Sequence, residues 1–202
     1  MRTKENGRSM IEMLGVLAII GVLTLASFVG YQKAIAKSRV NKTVEFVAMA
    51  LQNYADLTLK NTEGLNITGT DAVENASSMG LVDGCVKLES EADTGYQVCE
   101  VPLGELYIKF EEKTDMHSYM MSLMMIDQNE DICTAFLAQG WGQIIPKEWW
   151  PNAMIWLKSD VGETVIYPQG GSNVTMGMIG SACVNLCPKG NVHCMVVFDI
   201  AS

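Results

Sequence analysis

No proline occurs before Pro102, so nothing in the first half of the chain forces a break in a helix. Histidine is nearly absent too. The two present, His117 and His193, stand in no recognisable nucleophile motif such as G-x-S-x-G, which leaves acid–base and nucleophilic chemistry with few candidates. The acids Glu111, Glu112 and Asp115 read as the solvated end of a strand rather than a catalytic pair. The sequence therefore points away from an enzyme, and no cofactor or resident metal is expected. Only one apolar run is long, residues 10–31, about the 20 residues a helix needs to cross a hydrocarbon core.

Cations are scarce beyond residue 60. Residues 1–60 hold 8 Lys and Arg against 4 Asp and Glu, and residues 61–202 hold 6 against 19, giving +4 and −13. A segment at −13 repels phosphate backbones, which argues against direct nucleic-acid binding by this part. At 202 residues the chain has room for one ordinary domain and an appended element.

All six cysteines, Cys85, Cys99, Cys133, Cys183, Cys187 and Cys194, lie beyond the apolar run. An even number in one segment suits disulfides in an oxidising compartment. Lys33, Lys37, Arg39 and Lys42 after the run outnumber Arg2, Lys4 and Arg8 before it, so positive charge does not orient the span. The cysteines do. Long domains translocate largely regardless of charge, which puts the C-terminal part outside and the short N-terminus in the cytoplasm.

The absence of turn clusters allows one helix from residue 10 to about 59. Its second half is amphipathic, with Tyr31, Ile35, Val40, Val44, Val47, Leu51 and Tyr54 or Ala55 forming a stripe. Residues 60–70 read as a loop, and Thr70 or Asp71 caps a short helix through Met79, followed by the turn GLVDG. CVKLES and TGYQVCEVP read as strands that Cys85 and Cys99 can staple into a hairpin, and ELYIKFEE alternates cleanly as a half-buried strand. A strand is expected over 118–126, then a helix capped at Asp127 and ended by Gly140. Short strands follow around 153–158, 163–167 and 192–199, with PQGGSNVTMGMIGS a Gly-rich loop between the last two. The fold class expected is α+β: a long N-terminal helix packed on a small antiparallel head with disulfides.

One charge interrupts the apolar run. In GRSMIEMLGVLAIIGVL, residues 7–23, Glu12 sits near the start, where an ionised carboxylate at membrane depth costs at least about 2.5 kcal/mol. Gly7 is followed by Ser9, Met10, Ile11 and Glu12, then by MLGVL and AIIG (residues 18–21). This pattern resembles the N-terminus of prepilins of the type IV pilus and type II secretion superfamily, over the first 30 or so residues. The resemblance implies a leader over residues 1–7, cut after Gly7 by a prepilin peptidase, with Arg8 as the mature N-terminus and a site for N-methylation. It implies a transmembrane and assembly half over 8–30, an amphipathic half over 31–59 and a disulfide-bonded head over 60–202. Glu12, fifth in the mature chain, would pair with a neighbouring subunit's α-amino group, so that two buried charges become one pair and fix the stagger between helices.

By the same resemblance the partners are copies of this chain in a helical filament and an inner-membrane assembly machinery. The head would stand in the periplasm and later outside the cell. A pseudopilin or minor pilin matches the pattern as well as a major subunit does. Two positions depart from it: Arg8 stands where the family has an apolar residue, and Val29 where proline is common. The spacing of Cys133 from the C-terminal cysteines resembles type IVb pilins, which implies a bridge from Cys133 to one of Cys183, Cys187 and Cys194, with Cys194 preferred.

Rival readings rest on thinner patterns. Cys183, Cys187, His193 and Cys194 form a possible zinc set, but adjacent His193 and Cys194 on a strand would point to opposite faces. DMHSYMMSLMM with His117 offers soft-metal ligands, although methionine is more often a filler of irregular cores. Thr24-Leu25-Ala26 fits a signal-peptide cleavage site and hence a secreted binding protein, a reading that Glu12 disfavours. Trp149 and Trp150 in GQIIPKEWWP would serve a membrane-anchored receptor if exposed, but aromatics at such a turn are expected to pack on the core.

Overall fold

The computed structural model describes residues 10–60, 85–87, 96–113, 116–125, 129–169, 171, 174–188, 190 and 193–201. Of the loop expected at 60–70, Lys60 is instead the last residue of the first helix, and the rest of that loop, the helix through Met79 and the turn GLVDG lie outside the described residues. Helix α1 (Met10–Lys60) runs unbroken for 51 residues, as the absence of proline allows. The chain divides into two compact units, residues 1–38 and 39–202.

Within the second unit, α1 buries Val40, Thr43, Val47, Ala50, Leu51 and Ala55, a spacing of three and four that keeps one face inward. That face covers a seven-stranded, wholly antiparallel sheet formed by β1 (Cys85–Lys87), β2 (Tyr96–Val101), β3 (Gly104–Lys113), β4 (Met116–Met125), β5 (Ala153–Ser159), β6 (Gly162–Tyr167) and β7 (Cys194–Ala201). The spatial order is β1-β2-β3-β4-β7-β5-β6, so β7, last in sequence, is inserted between β4 and β5. Alternation sends Leu106 and Ile108 of β3, Leu123 of β4, Val196 and Phe198 of β7, and Ile155 and Leu157 of β5 into one core. The expected α+β architecture of long helix, antiparallel sheet and disulfides is thus observed.

Helix α2 (Glu130–Leu137) and the single turn α3 (Trp141–Ile144) close the core. Phe136, Trp141 and Phe198 meet there with ring centroids 4.8–6.3 Å apart, and Trp141 Nε1 donates to the Phe136 carbonyl at 3.2 Å. Each such ring contributes about 1.5–3 kcal/mol by burial alone. The α2 cap is Asn129, whose side chain accepts the Asp131 N–H at 2.9 Å, and not the expected Asp127, which lies outside the described residues. The helix also ends earlier than expected, with Ala138 as its C-cap. Gly140 has φ −74 and opens α3.

The Gly-rich stretch expected to be a loop is in part a helix, α4 (Met176–Leu186). Thr175 caps it by accepting the Met178 N–H at 3.3 Å, and Ile179, Ala182, Cys183 and Leu186 form its packed stripe. Gly177 and Gly180 cost about 1 kcal/mol each relative to alanine, a propensity that tertiary packing overrides.

Candidate functional site

The described part of the first unit, residues 10–38, is all helix, and from Met10 to Tyr31 its surface is almost entirely hydrocarbon. From Met10 to Tyr31 the described large apolar side chains are 53–83% exposed. Apart from Tyr31 at its end, this stretch carries three polar side chains, Glu12, Thr24 and Ser27. Two of them are satisfied within the helix: Thr24 Oγ1 donates to the Ile20 carbonyl at 2.7 Å and Ser27 Oγ to the Leu23 carbonyl at 2.8 Å. That arrangement hides hydroxyls where no water is at hand. Glu12 is the exception, an exposed carboxylate in the first turn of α1. The helix is long and apolar enough to cross a membrane. Gly7 and Arg8 lie outside the described residues.

The six cysteines form three bridges. Cys85 and Cys99 face each other as paired residues of β1 and β2 with Cα atoms 4.2 Å apart, which is the expected hairpin staple. Cys133 bonds Cys183, one of the three partners the type IVb likeness allowed but not the preferred Cys194. The reason is α4: once residues 176–186 are helical, Cys183 lies on the buried face turned toward α2, where Cys133 also points inward. Cys194 instead bonds Cys187, seven residues earlier, closing the connection from α4 to β7.

Metal ligation fares poorly by the same geometry. The Sγ atoms of Cys133, Cys187 and Cys194 lie within 4.8 Å of one another, but each is in a bridge and offers no thiolate. His193, the fourth member of the possible zinc set, is exposed, and its backbone N–H donates to Asp160 Oδ2 at 3.1 Å. The side chains of His117, Glu111, Glu112 and Asp115 lie outside the description. Trp149 is buried and Trp150 half-buried, wedged against Gly142 and Gly171, so the two indoles belong to the core wall.

Sequence reasoning missed one surface feature, a groove of about 660 Å³ between β6 and α4. It is lined by Glu163, Thr164, Thr175, Gly177, Met178, Ser181, Ala182, Asn185 and Leu186. Thr175 is committed to its cap, and Glu163 faces Lys158 at 3.5 Å on the exposed hairpin. The signal for this groove was the alternation of small and apolar residues along α4, legible only once that segment is taken as helical. Beyond the groove, Tyr167 donates its hydroxyl to the Leu137 carbonyl at 2.7 Å, and burial raises its phenol above the ordinary value.

Comparison with protein-family models, with curated proteins and with solved structures returns no match.

Proposed function

We propose that this chain is a structural subunit of a type IV pilus-like filament, made as a prepilin, cut after Gly7 and polymerised through α1. The observation that carries the reading is the helix over Met10–Tyr31: its described apolar side chains are uncovered, the hydroxyls of Thr24 and Ser27 are satisfied internally, and one carboxylate, Glu12, stands exposed. An uncovered apolar helix needs lipid or other helices around it. In the membrane the former serves, and in a filament the latter. Glu12 would pair with a neighbouring subunit's freed α-amino group, since an intramembrane acid without a partner is costly. The head, stapled by three bridges, would face an oxidising compartment.

The mature N-terminus tests this reading. Intact mass and N-terminal sequencing of the protein from membranes should give a chain starting at Arg8, and Gly7→Leu should leave the leader attached. A start at Ser27 would instead mark a cleaved signal peptide and a secreted protein.

A further inference from the structure

Two of the three bridges meet inside the head. Sγ of Cys133, from the bridge that ties α2 to α4, lies within 4.8 Å of both sulfurs of Cys187–Cys194. All four residues are fully buried. Once local opening admits a reductant and one of these sulfurs becomes a thiolate, exchange requires it to reach a sulfur of the neighbouring bridge, and Sγ of Cys133 stands within 4.8 Å of both candidates.

We propose that Cys133, Cys183, Cys187 and Cys194 form a redox-sensitive exchange site, in which a dithiol reductant that removes one bridge leaves the other re-formed as Cys133–Cys194 and frees α4 of both covalent ties. The inference does not rest on the filament reading. A dithiol gives two electrons and two protons to the Cys187–Cys194 bond; that bond breaks, the reductant's own disulfide forms, and Cys187 and Cys194 become thiols. Cys194, as thiolate, then attacks Sγ of Cys133. The Cys133–Cys194 bond forms and the Cys133–Cys183 bond breaks. The electron pair leaves on Cys183, which takes up the proton that Cys194 gave. Entry at the other bridge converges on the same product, because reduced Cys133 attacks Cys194 and expels Cys187.

Cys133–Cys187 is the competing product. Cys194 is favoured because it opens β7, paired with Met125 of β4 on one side and Ser159 of β5 on the other, so its sulfur keeps its place. Cys187 caps the C-terminus of α4 with φ −124 and ψ 48, outside the helix proper and outside any strand. In the product, Cys183 and Cys187 are both thiols at the end of α4. The helix is then held by the packing of Ile179, Ala182, Cys183 and Leu186 with no covalent tie, while Met176, Met178 and Val184 already face outward. The wall that α4 gives to the groove along β6 becomes free to open.

The test titrates full-length protein in detergent micelles with dithiothreitol at about pH 8.5, where free thiols are appreciably ionised. Samples are quenched in acid, alkylated with N-ethylmaleimide and mapped as non-reduced peptides, with Cys85–Cys99 scored separately. The two-thiol form of the four-cysteine cluster should be alkylated at Cys183 and Cys187 and linked Cys133–Cys194. A two-thiol form retaining Cys133–Cys183 or Cys187–Cys194, one linked Cys133–Cys187, or loss of both bridges with no two-thiol form would each overturn the proposal. The double variant Cys183→Ala/Cys187→Ala gives a second reading, since after air oxidation its Cys133 and Cys194 should be bridged. Finding both free in folded protein would overturn it; if that variant does not fold, the wild-type map decides alone.

Discussion

The backbone N–H of Leu103, in the turn between β2 and β3, donates to Oγ1 of Thr43 on α1 at 3.2 Å, and both residues are fully buried. One turn earlier on the helix, Arg39 Nε donates to the Pro102 carbonyl at 2.7 Å. Two adjacent backbone groups of one turn are thus anchored on the amphipathic half of the helix. Thr43→Val keeps the shape and removes the acceptor, so it should cost about 1–3 kcal/mol by leaving a buried N–H unsatisfied. Thr43→Ser should retain most of the stability. Urea unfolding followed by tryptophan fluorescence measures both, because all four tryptophans lie in residues 141–156.

Two glycines should respond oppositely to alanine. Gly171 has φ +56, and a Cβ there would overlap the Trp150 indole, so Gly171→Ala should destabilise by at least about 2 kcal/mol. Gly180 sits inside α4 with open space around it, and Gly180→Ala should stabilise by about 0.5–1 kcal/mol. Equal shifts in the same unfolding assay would contradict the placement of Trp150 and of α4.

Tyr167 gives a pH signature. Its phenol is raised above 10.0 by burial, so the folded state holds the proton more tightly than the unfolded state does. That contribution is fully present below about pH 10 and is lost as pH rises through the folded value. Wild type should therefore lose stability steadily above pH 10, and Tyr167→Phe should lose less over the same span. At neutral pH the variant should be weaker by about 1 kcal/mol, because the Leu137 carbonyl loses its donor.

The Cys85–Cys99 staple closes a loop with a sequence separation of 14, and in the chain-entropy treatment such a loop contributes roughly 3 kcal/mol. Cys85→Ala/Cys99→Ala should lower unfolding free energy by about that amount. Denatured but unreduced wild type should take up no thiol label, since every cysteine is bridged.

Much of this fold was legible because its signals are local. The unbroken helix followed from missing proline, the stripe of Val40, Val47, Leu51 and Ala55 from spacing, and β3 from the alternation of Leu106 and Ile108 with polar neighbours. Helix α4 was not legible, because Gly177 and Gly180 outweigh a single capping threonine when composition is read without packing. Its stripe of Ile179, Ala182, Cys183 and Leu186 carried the right period, but it lay in a segment whose texture spoke for a loop. The preference for Cys194 among the three partners allowed to Cys133 came from the type IVb likeness, and with α4 unread nothing in the sequence pointed instead to Cys183. Glu12 was visible as an anomaly from the start. On the filament reading proposed above, its partner would belong to another copy of the chain.

Arg8 separates two accounts of that partner. If the freed α-amino group receives the Glu12 carboxylate, Arg8→Phe should leave filament yield unchanged or raise it, by removing a second positive charge beside the pair. If the guanidinium is the receiver, Arg8→Phe should impair assembly as much as loss of the acid does. Sheared-filament yield against membrane subunit level distinguishes them, and the amine is the expected partner.

The central claim is that Glu12 is an assembly device, and Glu12→Ala tests it most directly. Filament sheared from cells should be quantified against wild type at equal subunit levels in the membrane. The account predicts normal leader cleavage, normal or slightly easier membrane insertion and an intact head, with filament yield sharply reduced, because the neighbour's amine must then be buried without compensation. Equal filament yields from the two proteins would contradict it and leave Glu12 as no more than a carboxylate tolerated at the membrane edge.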